Sequence, residues 1–331
     1  MLKSEIILTF APPMKIIRVN EQVERQTPCV ATIGFFDGVH LGHRFLINKV
    51  VETARQMEMA STVVTFAVHP GQVLRTDWHP QLLSTLDEKM ALLAQTGIDQ
   101  LVVLPFDAAM AALPARDFMA DILSHQLGVR VLVIGHDNRF GHRRAGSAEG
   151  FDDYVRYGRE LGMEVLPCMP FDTDAIRVSS SQVRRFLQEG DVGLATCCLG
   201  RPYELTGKVV SGYHIGTGLG FPTANLLPSC ADKLIPAAGV YAVRVRIGDS
   251  QELLSGMMNI GQRPTFDGSH LTLEIHIFHF NADLYDQQIS VSFIHRLRSE
   301  MKFGSREALA AQLAADARQS EEILNKTINI V

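Results

Sequence analysis

The sequence predicts an α/β domain with a doubly wound parallel sheet, followed by a small antiparallel β-barrel and a C-terminal helix. In the first half, continuous apolar runs alternate with amphipathic segments, which is typical of parallel strands covered by helices on both faces. In the second half, short runs rich in valine and isoleucine follow one another without helices between them. A chain of 331 residues is long enough for two domains with separate cores.

Strands and helices alternate through the first half. The strands are predicted at 30–34, 62–66, 101–104, 131–134 and 164–166, and the helices at 44–57, 87–95, 115–127 and 149–161. Gly97, Gly128 and Gly162 follow three of these helices, where a left-handed residue commonly ends a helix. Helices at 180–189 and 192–199 come next. We predict domains at 15–187 and 201–331 with a joint at 188–200, and a lead-in, residues 1–26, that packs on the sheet edge.

The second half predicts five or six barrel strands. They include 204–210, 239–247, 253–259, 271–278 and 289–294, and a final helix covers 306–325. Apolar and polar residues alternate strictly between 271 and 277. This places Thr272, Glu274 and His276 on one face and four aliphatic residues on the other.

Composition narrows the range of partners. A net charge of -5 argues against broad binding of nucleic acid. The five cysteines form no C-x-x-C pair, which indicates a reducing compartment without a disulfide framework. The apolar run at 6–11 is too short to span a membrane. We therefore expect a cytoplasmic protein with small-molecule partners, no nucleic acid or membrane partner, and a monomer or a weak homo-oligomer.

The stretch 30–43 predicts a phosphate site. An apolar strand ends at Gly34, and His40 and His43 flank Gly42 just before an amphipathic helix. Backbone N–H groups, a helix N-terminus and two imidazoles then meet above the carboxyl end of a strand, where a phosphate is favoured. Two other interpretations stay open: structural histidines that satisfy the loop, and a zinc site, although metalloproteases space their histidines four apart with a glutamate between them.

Three further polar clusters follow predicted strands: 65–71, 134–144, and 177–185 beyond the strand near Leu166. In the last of them, Ser179, Ser180 and Ser181 precede an apolar-periodic run, with Arg184 one turn inside. One interpretation is an N-cap without any further role. The other is a second anion site at a helix N-terminus. The residues alone do not decide between the two.

A glycine-rich loop at 212–225 lies in the barrel half. Its glycines can be explained as a flexible hairpin connection, since isolated glycine spacing is weak evidence. The residues that follow, Pro222, Thr223 and Asn225, form a rigid turn that displays a hydroxyl and an amide. Such groups suit a hydrated magnesium ion on nucleotide phosphates.

Taken together, these motifs resemble the prokaryotic bifunctional riboflavin kinase/FAD synthetase family, from about Cys29 to about Leu313. The family's G-x-F-D-G-x-H-x-G-H signature matches Gly34 to His43. Further motifs of its nucleotidylyltransferase half resemble 65–70, 135–146 and 178–184, and those of its flavokinase half resemble 200–203, 212–225, 239–243, 259–266, Glu274 and 297–303. The resemblance implies a Rossmann-like domain and a flavokinase barrel. It also implies two reactions: riboflavin and ATP give FMN in the barrel, and FMN and ATP give FAD and pyrophosphate in the first domain, with Mg²⁺.

For the adenylylation, the resemblance implies a site that aligns two anionic groups, because the FMN phosphate is already a nucleophile. Charge would be stabilised by His40, His43 and Arg184. ATP would contact Gly34, Phe36, Asp37, Gly42, Asp137, Arg139 and Ser181. The flavin side would be lined by Phe66, His69 and Pro70.

For the kinase, the 5′-hydroxyl of riboflavin must lose a proton, and a carboxylate base within hydrogen-bond reach can take it. The family's base matches Glu274. ATP would contact Gly212, Gly216, Gly218, Gly220, Pro222 and Asn259. Thr223 and Asn225 would hold the metal, and Arg298 would face the flavin. The alternative for Glu274 is an exposed strand residue paired with a lysine or arginine.

Several positions depart from the family pattern: Phe35 replaces a small or polar residue, His136 an acidic one, Asn138 an aromatic one, Ser181 a threonine, Thr217 a basic one and His279 an aspartate. The residues that carry the implied chemistry are retained, and we predict that both activities survive. Two alternatives stay open. One is a kinase with a degenerate adenylylation domain, and the other is a non-catalytic flavin-binding carrier or sensor.

Overall fold

The computed structural model describes residues 13–19, 27–74, 80–136, 139–141, 149–173, 176–211, 220–265 and 268–327. The chain divides into two compact units. The first unit comprises Met1–Pro80 and Ser84–Arg177, and the second comprises Gln81–Leu83 and Val178–Val331. The domain boundaries at 187 and 201 stay a prediction. In the described ranges, no helix combines the length and the apolar character that a membrane crossing needs.

The first unit contains a six-stranded parallel sheet, which confirms the predicted doubly wound architecture. The strands are β1 (Lys15–Arg18), β2 (Cys29–Ile33), β3 (Ala60–Phe66), β4 (Gln100–Leu104), β5 (Val129–Gly135) and β6 (Glu164–Cys168). Their order is β1-β4-β3-β2-β5-β6, and every pair is parallel. The chain moves outward in one direction from β2 to β4 and in the other from β5 to β6. The switch point therefore lies between β2 and β5, where sheets of this kind bind ligands at the carboxyl ends of the strands.

Helices cover both faces of this sheet. They are α1 (Leu41–Gln56), α2 (Pro70–Leu74), α3 (Leu86–Ala94), α4 (Ala108–Ala112), α5 (Ala115–Asp117), which continues as a π-helical segment (Phe118–Gln126), and α6 (Phe151–Leu161). Ala31 and Ile33 of β2 pack into one core cluster and Val30 into the other, because side chains alternate along the strand. The unit ends in a short hairpin of β7 (Asp172–Thr173) and β8 (Ile176–Arg177).

The second unit is a closed antiparallel barrel with flanking helices. It comprises α7 (Ser180–Glu189), α8 (Val192–Leu199), β9 (Tyr203–Val210), β10 (Ala224–Pro228), β11 (Gly239–Ile247), β12 (Leu254–Thr265), β13 (Gly268–Ile277), β14 (Gln288–Arg298) and α9 (Arg306–Thr327). The strand order is β10-β13-β12-β11-β14-β9. The expected barrel and C-terminal helix are confirmed. Strand β10 was not among the five ranges predicted, because its first residues were interpreted as a turn.

The C-terminal helix α9 packs on the barrel. Its Leu324 shares a core cluster with Ala242 of β11 and Met257 of β12. Arg244 donates from Nη2 to the Leu324 carbonyl oxygen at 2.8 Å, and from Nη1 to the Ser255 hydroxyl at 2.6 Å. Burial of the apolar stripe and these bonds together hold the helix against one face of the barrel.

Candidate active sites

The loop after β2 is strained and firmly held. Phe36 and Val39 have left-handed backbone angles, with φ 55° and 40°, and Gly38 has φ 77°. Such a conformation costs on the order of 1–3 kcal/mol for a residue other than glycine. Asp37 is 3% exposed, and its Oδ1 accepts from the Ser84 backbone N–H at 3.0 Å. The Gly38 N–H donates to the Ser84 hydroxyl at 2.9 Å. The predicted ATP contact Asp37 therefore fixes the loop.

The two histidines meet at the start of α1. His40 is the N-cap residue, and its Nδ1 accepts from the His43 backbone N–H at 3.2 Å. In a neutral His40 ring the proton must then lie on Nε2. The rings stack with centroids 3.5 Å apart and planes inclined by 19°. Burial, with smaller contributions from His40 and Lys89, lowers the pKa of His43 well below 6.5. His43 is therefore neutral at pH 7 and offers hydrogen bonds rather than charge.

Lys89 of α3 was not found from the sequence. It is 2% exposed, and its Nζ donates to the carbonyl oxygens of Phe35 at 3.0 Å and Phe66 at 3.2 Å. It thus ties together the ends of β2 and β3. The Nζ also lies 3.9 Å from the centroid of the Phe35 ring. Burial lowers the pKa of Lys89 to about 8, and the Asp37 carboxylate opposes this shift. One signal was available: Lys89 is four residues before the buried Leu93, on the same helix face.

The predicted flavin side lies after β3. Phe66 is 8% exposed and packs edge-on against Phe106, with ring centroids 5.2 Å apart. His69 accepts through Nδ1 from the Gly71 N–H at 3.0 Å, and Pro70 is the first residue of α2. The His69 ring stands edge-on to Phe35, with centroids 4.5 Å apart. The atypical Phe35 therefore contacts both a buried cation and a predicted ligand residue.

The described residues just after β5 make side-chain and backbone contacts within the first unit. His136 Nε2 accepts from Arg177 Nη2 at 2.8 Å. Phe140 stacks on Tyr154, with centroids 4.4 Å apart, and Gly141 approaches the Ala115 backbone so closely that a Cβ would collide with it. The predicted ATP contact Arg139 is exposed. Asp137 and Asn138 lie outside the described residues.

The serine cluster of the second unit has one clear capping residue. Ser179 is the N-cap of α7 and accepts from the Gln182 N–H at 3.2 Å, whereas Ser181 is exposed. Arg184 donates from Nε to the Gln81 carbonyl oxygen at 2.8 Å. The capping interpretation is therefore correct for Ser179. The phosphate roles of Ser181 and Arg184 stay predictions.

The barrel aligns its polar groups by strand register. Glu274 on β13 pairs directly with Asn225 on β10 and with Asn259 on β12. Asn259 pairs with Val240, and Val240 pairs with Arg298. These five residues form the Glu274 row. Directly paired residues face the same side of a sheet, so the row presents two amides, a carboxylate and a guanidinium to one side.

Two cavities meet at Thr223. The Glu274 cavity has a volume of about 390 Å³, and its lining includes Glu274, Asn259, Arg298 and Thr223. The Tyr285 cavity is also about 390 Å³, and its lining includes Thr223 and Tyr285. Both volumes fall in the range of small-molecule sites. Thr223 therefore lines both cavities. Gly220 is described and has φ 82°, while Gly212, Gly216, Thr217 and Gly218 lie outside the described residues.

Arg298 has a structural partner besides its place in the cavity. Its Nε and Nη2 donate to the Asp316 carboxylate at 3.0 Å and 2.7 Å, and Asp316 is 1% exposed. This bidentate pair ties β14 to α9. Glu300, which sequence reasoning did not single out, also lines the Glu274 cavity, and its carboxylate packs against Gly261. Of the four aliphatic residues on the opposite face of β13, three are buried and Leu271 is 43% exposed.

A parallel sheet with a strained loop before a helix N-terminus, and a barrel with a cavity lined by Glu274, fit a two-domain transferase that uses nucleotides. The family model for FAD synthetase matches residues 22–182, and the model for riboflavin kinase matches residues 199–324. The chain is 37% identical over 316 residues to the bifunctional riboflavin kinase/FMN adenylyltransferase of Escherichia coli, covering 95% of this chain and 99% of the relative. The enzyme of the same name from Haemophilus influenzae is 35% identical over 313 residues, covering 94% and 100%.

A solved structure described as a macrolide-efflux protein from Streptococcus pneumoniae is 29% identical, with a TM-score of 0.84, and the match covers 93% of this chain and 99% of that one. It shares the fold. The chain belongs to the bifunctional riboflavin kinase/FMN adenylyltransferase family. The resemblance inferred from the motifs is confirmed.

Proposed function

We propose that this chain phosphorylates riboflavin to FMN in its barrel and adenylylates FMN to FAD in its α/β unit, with ATP as the donor in both reactions. The main support for this proposal is that the two family models match consecutive halves of one chain. The kinase-only and carrier alternatives are not favoured, since relatives over almost the full length bear both activities in their names.

In the barrel, Glu274 acts as the general base toward the 5′-hydroxyl of riboflavin. An alcohol of this kind is a poor nucleophile until a positioned base takes its proton. The Glu274 row supports this role, because Asn225 and Asn259 flank the carboxylate on both neighbouring strands. Riboflavin occupies the Glu274 cavity and the nucleotide phosphates approach through the Tyr285 cavity, so that transfer takes place beside Thr223.

Magnesium is the proposed metal, held by Thr223 and Asn225. In the described part of the chain, no cluster of three or more His, Cys, Asp and Glu side chains is placed to hold a metal ion. Mg²⁺ needs no such cluster, since it keeps several waters and binds through one or two protein oxygens together with substrate phosphates. The hydroxyl of Thr223 and the amide oxygen of Asn225 fit this preference. When bound, the ion would neutralise charge on the phosphates.

In the α/β unit, catalysis consists of alignment and charge stabilisation. The phosphate of FMN attacks the α-phosphate of ATP, and no protein nucleophile is required. The N-terminus of α1 at Gly42 and the His40 Nε2–H offer donors to the phosphates. Neutral His43 keeps hydrogen-bonding capacity, because its Nδ1 has no partner among the described residues. The strained loop and Lys89 hold these donors in place before the substrate arrives.

We propose that His69, Pro70 and Phe66 border the flavin of the adenylylation site, although Phe66 is largely buried. All five cysteines are unpaired, which supports a reducing, cytoplasmic location. We further propose a monomer or weak homo-oligomer that has no nucleic-acid partner.

One time course tests the proposed function. Purified protein is incubated with riboflavin, ATP and Mg²⁺, and the three flavins are resolved by chromatography. FMN should rise first and then give way to FAD. In a second reaction FMN replaces riboflavin and should yield FAD directly. If FMN accumulates in the first reaction and neither reaction yields FAD, the activity is confined to the barrel. Bound flavin without ATP consumption would indicate a carrier.

A further inference from the structure

His276 connects β13, the strand that carries Glu274, to the turn that carries Thr223. It lies two residues after Glu274 on the same face of β13 and lines the same cavity. Its Nδ1 is 2.8 Å from the carbonyl oxygen of Pro222. A carbonyl oxygen only accepts, so Nδ1 carries the proton and donates it. The tautomer and the direction of this bond are therefore fixed by the partner.

The imidazole is held in this orientation by two aromatic rings. Phe221 stands edge-on to it with centroids 5.3 Å apart, and Phe278 stands edge-on from another side at 5.6 Å. Strand β10 begins at Ala224, so Pro222 and Thr223 lie before its first residue. The side-chain bond from His276 thus fixes a segment that comes before the strand ladder begins.

We propose that His276 is a positioning residue for phosphoryl transfer. It holds the Thr223 hydroxyl at a fixed place relative to the Glu274 carboxylate. Phe221 and Phe278 hold the imidazole on the strand of Glu274, and its Nδ1–H donates to the carbonyl oxygen of Pro222, the residue before Thr223. Glu274 and His276 are about 7 Å apart along one strand face, and the Nδ1–H bond fastens the Pro222–Thr223 peptide to that strand. The inference rests on the proposed kinase function. It extends that function to a residue outside the set that the family resemblance implies.

Three substitutions separate positioning from packing. His276→Phe keeps an aromatic ring between Phe221 and Phe278 but removes the donor. His276→Asn loses the ring but keeps an N–H donor near the position of Nδ1. His279→Ala is the matched control, because His279 is 87% exposed on its side chain and pairs with Glu321 outside the cavity. Adenylylation of supplied FMN serves as an internal measure of intact protein.

For His276→Phe, kcat for riboflavin phosphorylation should fall roughly 10- to 100-fold, as expected for a displaced reacting group. The KM for riboflavin should stay within about threefold, and the Mg²⁺ concentration for half-maximal rate should rise. His276→Asn should recover most of kcat, and His279→Ala should match the wild type. FMN adenylylation and the thermal unfolding midpoint should change little in the Asn variant.

Two results overturn the inference: wild-type kcat in His276→Phe, or equal losses in the Phe and Asn variants. If His276→Phe fails to fold, His276→Asn is compared with a fourth variant, His276→Ala, which has neither the ring nor the donor. Equal kcat values in the Asn and Ala variants would show that the donor has no role. Failure of the proposed function looks different, because the wild type itself would then form no FMN from riboflavin.

Discussion

The loop after β2 and the Glu274 row hold their polar groups by different means. In the loop, left-handed residues are fixed by Ser84 and Lys89, which lie about 50 residues further along the chain. In the barrel, the amides and the carboxylate of the row are brought together by strand register. The first arrangement depends on buried polar contacts that are sensitive to charge and pH. The second depends on hydrogen-bonded strands that tolerate changes of single side chains. We therefore expect substitutions in the barrel row to alter chemistry and substitutions around the loop to alter stability as well.

The largest expected effect is on Glu274→Gln. Loss of a general base costs roughly 10²- to 10⁴-fold in rate, so kcat for riboflavin phosphorylation should fall by that amount. The unfolding midpoint should be unchanged, because Glu274 is half-buried and register keeps the strand in place. Glu252→Gln, on an exposed residue, is the control. A kinase rate within tenfold of the wild type would remove Glu274 from the role of base.

The second prediction concerns the pair that ties β14 to α9. Asp316→Ala leaves Arg298, which is 17% exposed on its side chain, without its bidentate partner. Removing one member of a buried ion pair costs about 3 kcal/mol or more. The urea unfolding midpoint should fall accordingly, and riboflavin phosphorylation should fall with it, because Arg298 lines the Glu274 cavity. FMN adenylylation is the comparison activity. An unchanged midpoint would show that the barrel face does not need this pair.

The third prediction separates capping from chemistry at His40. His40→Asn keeps an N-cap acceptor for the His43 N–H, whereas His40→Ala does not. Both should lower FMN adenylylation by roughly 10²-fold if His40 donates to a phosphate. Only His40→Ala should also lose about 1 kcal/mol of stability. Riboflavin phosphorylation should be normal in both. Full adenylylation by His40→Asn would reduce His40 to a helix cap.

Most helices and strands could be predicted from the sequence, and there are physical reasons why the others could not. Apolar runs such as 62–66 identify strands buried on both faces, and alternation at 271–277 placed Glu274 on the polar face. The helices α2 and α4 have five residues each, too few for a helical period to show. Strand β1 pairs with β4 at the edge of the sheet that the structure describes, inside the range 1–26 that the sequence predicts as a lead-in.

The candidate sites could be predicted from the sequence only where local motifs carry them. The histidines, Thr223 and Glu274 stand in short motifs, and the structure places each beside a strand end or a cavity. The adjacency of Glu274 to Asn259 depends on register across the β12–β13 hairpin. The burial of Lys89 depends on two strand ends that are remote in sequence. Asp316 reaches Arg298 only because α9 folds back on the barrel. Tertiary contacts of this kind carry no local signal.

The last prediction uses the pH dependence of stability to test the buried Lys89 that holds the loop after β2. The pKa of Lys89 is about 8 in the folded protein and near 10.5 when unfolded. Above pH 8 the folded state loses a proton that the unfolded state keeps, so stability rises with pH. Between pH 7 and pH 9 the unfolding free energy of the wild type should therefore increase by about 1 kcal/mol relative to Lys89→Met. Urea titrations at both values measure this, with Lys49→Met as an exposed-lysine control. Parallel pH dependence in wild type and Lys89→Met would mean that the amine stays charged beneath Phe35. The carbonyl oxygens of Phe35 and Phe66 would then compensate its burial more fully than the lowered pKa implies.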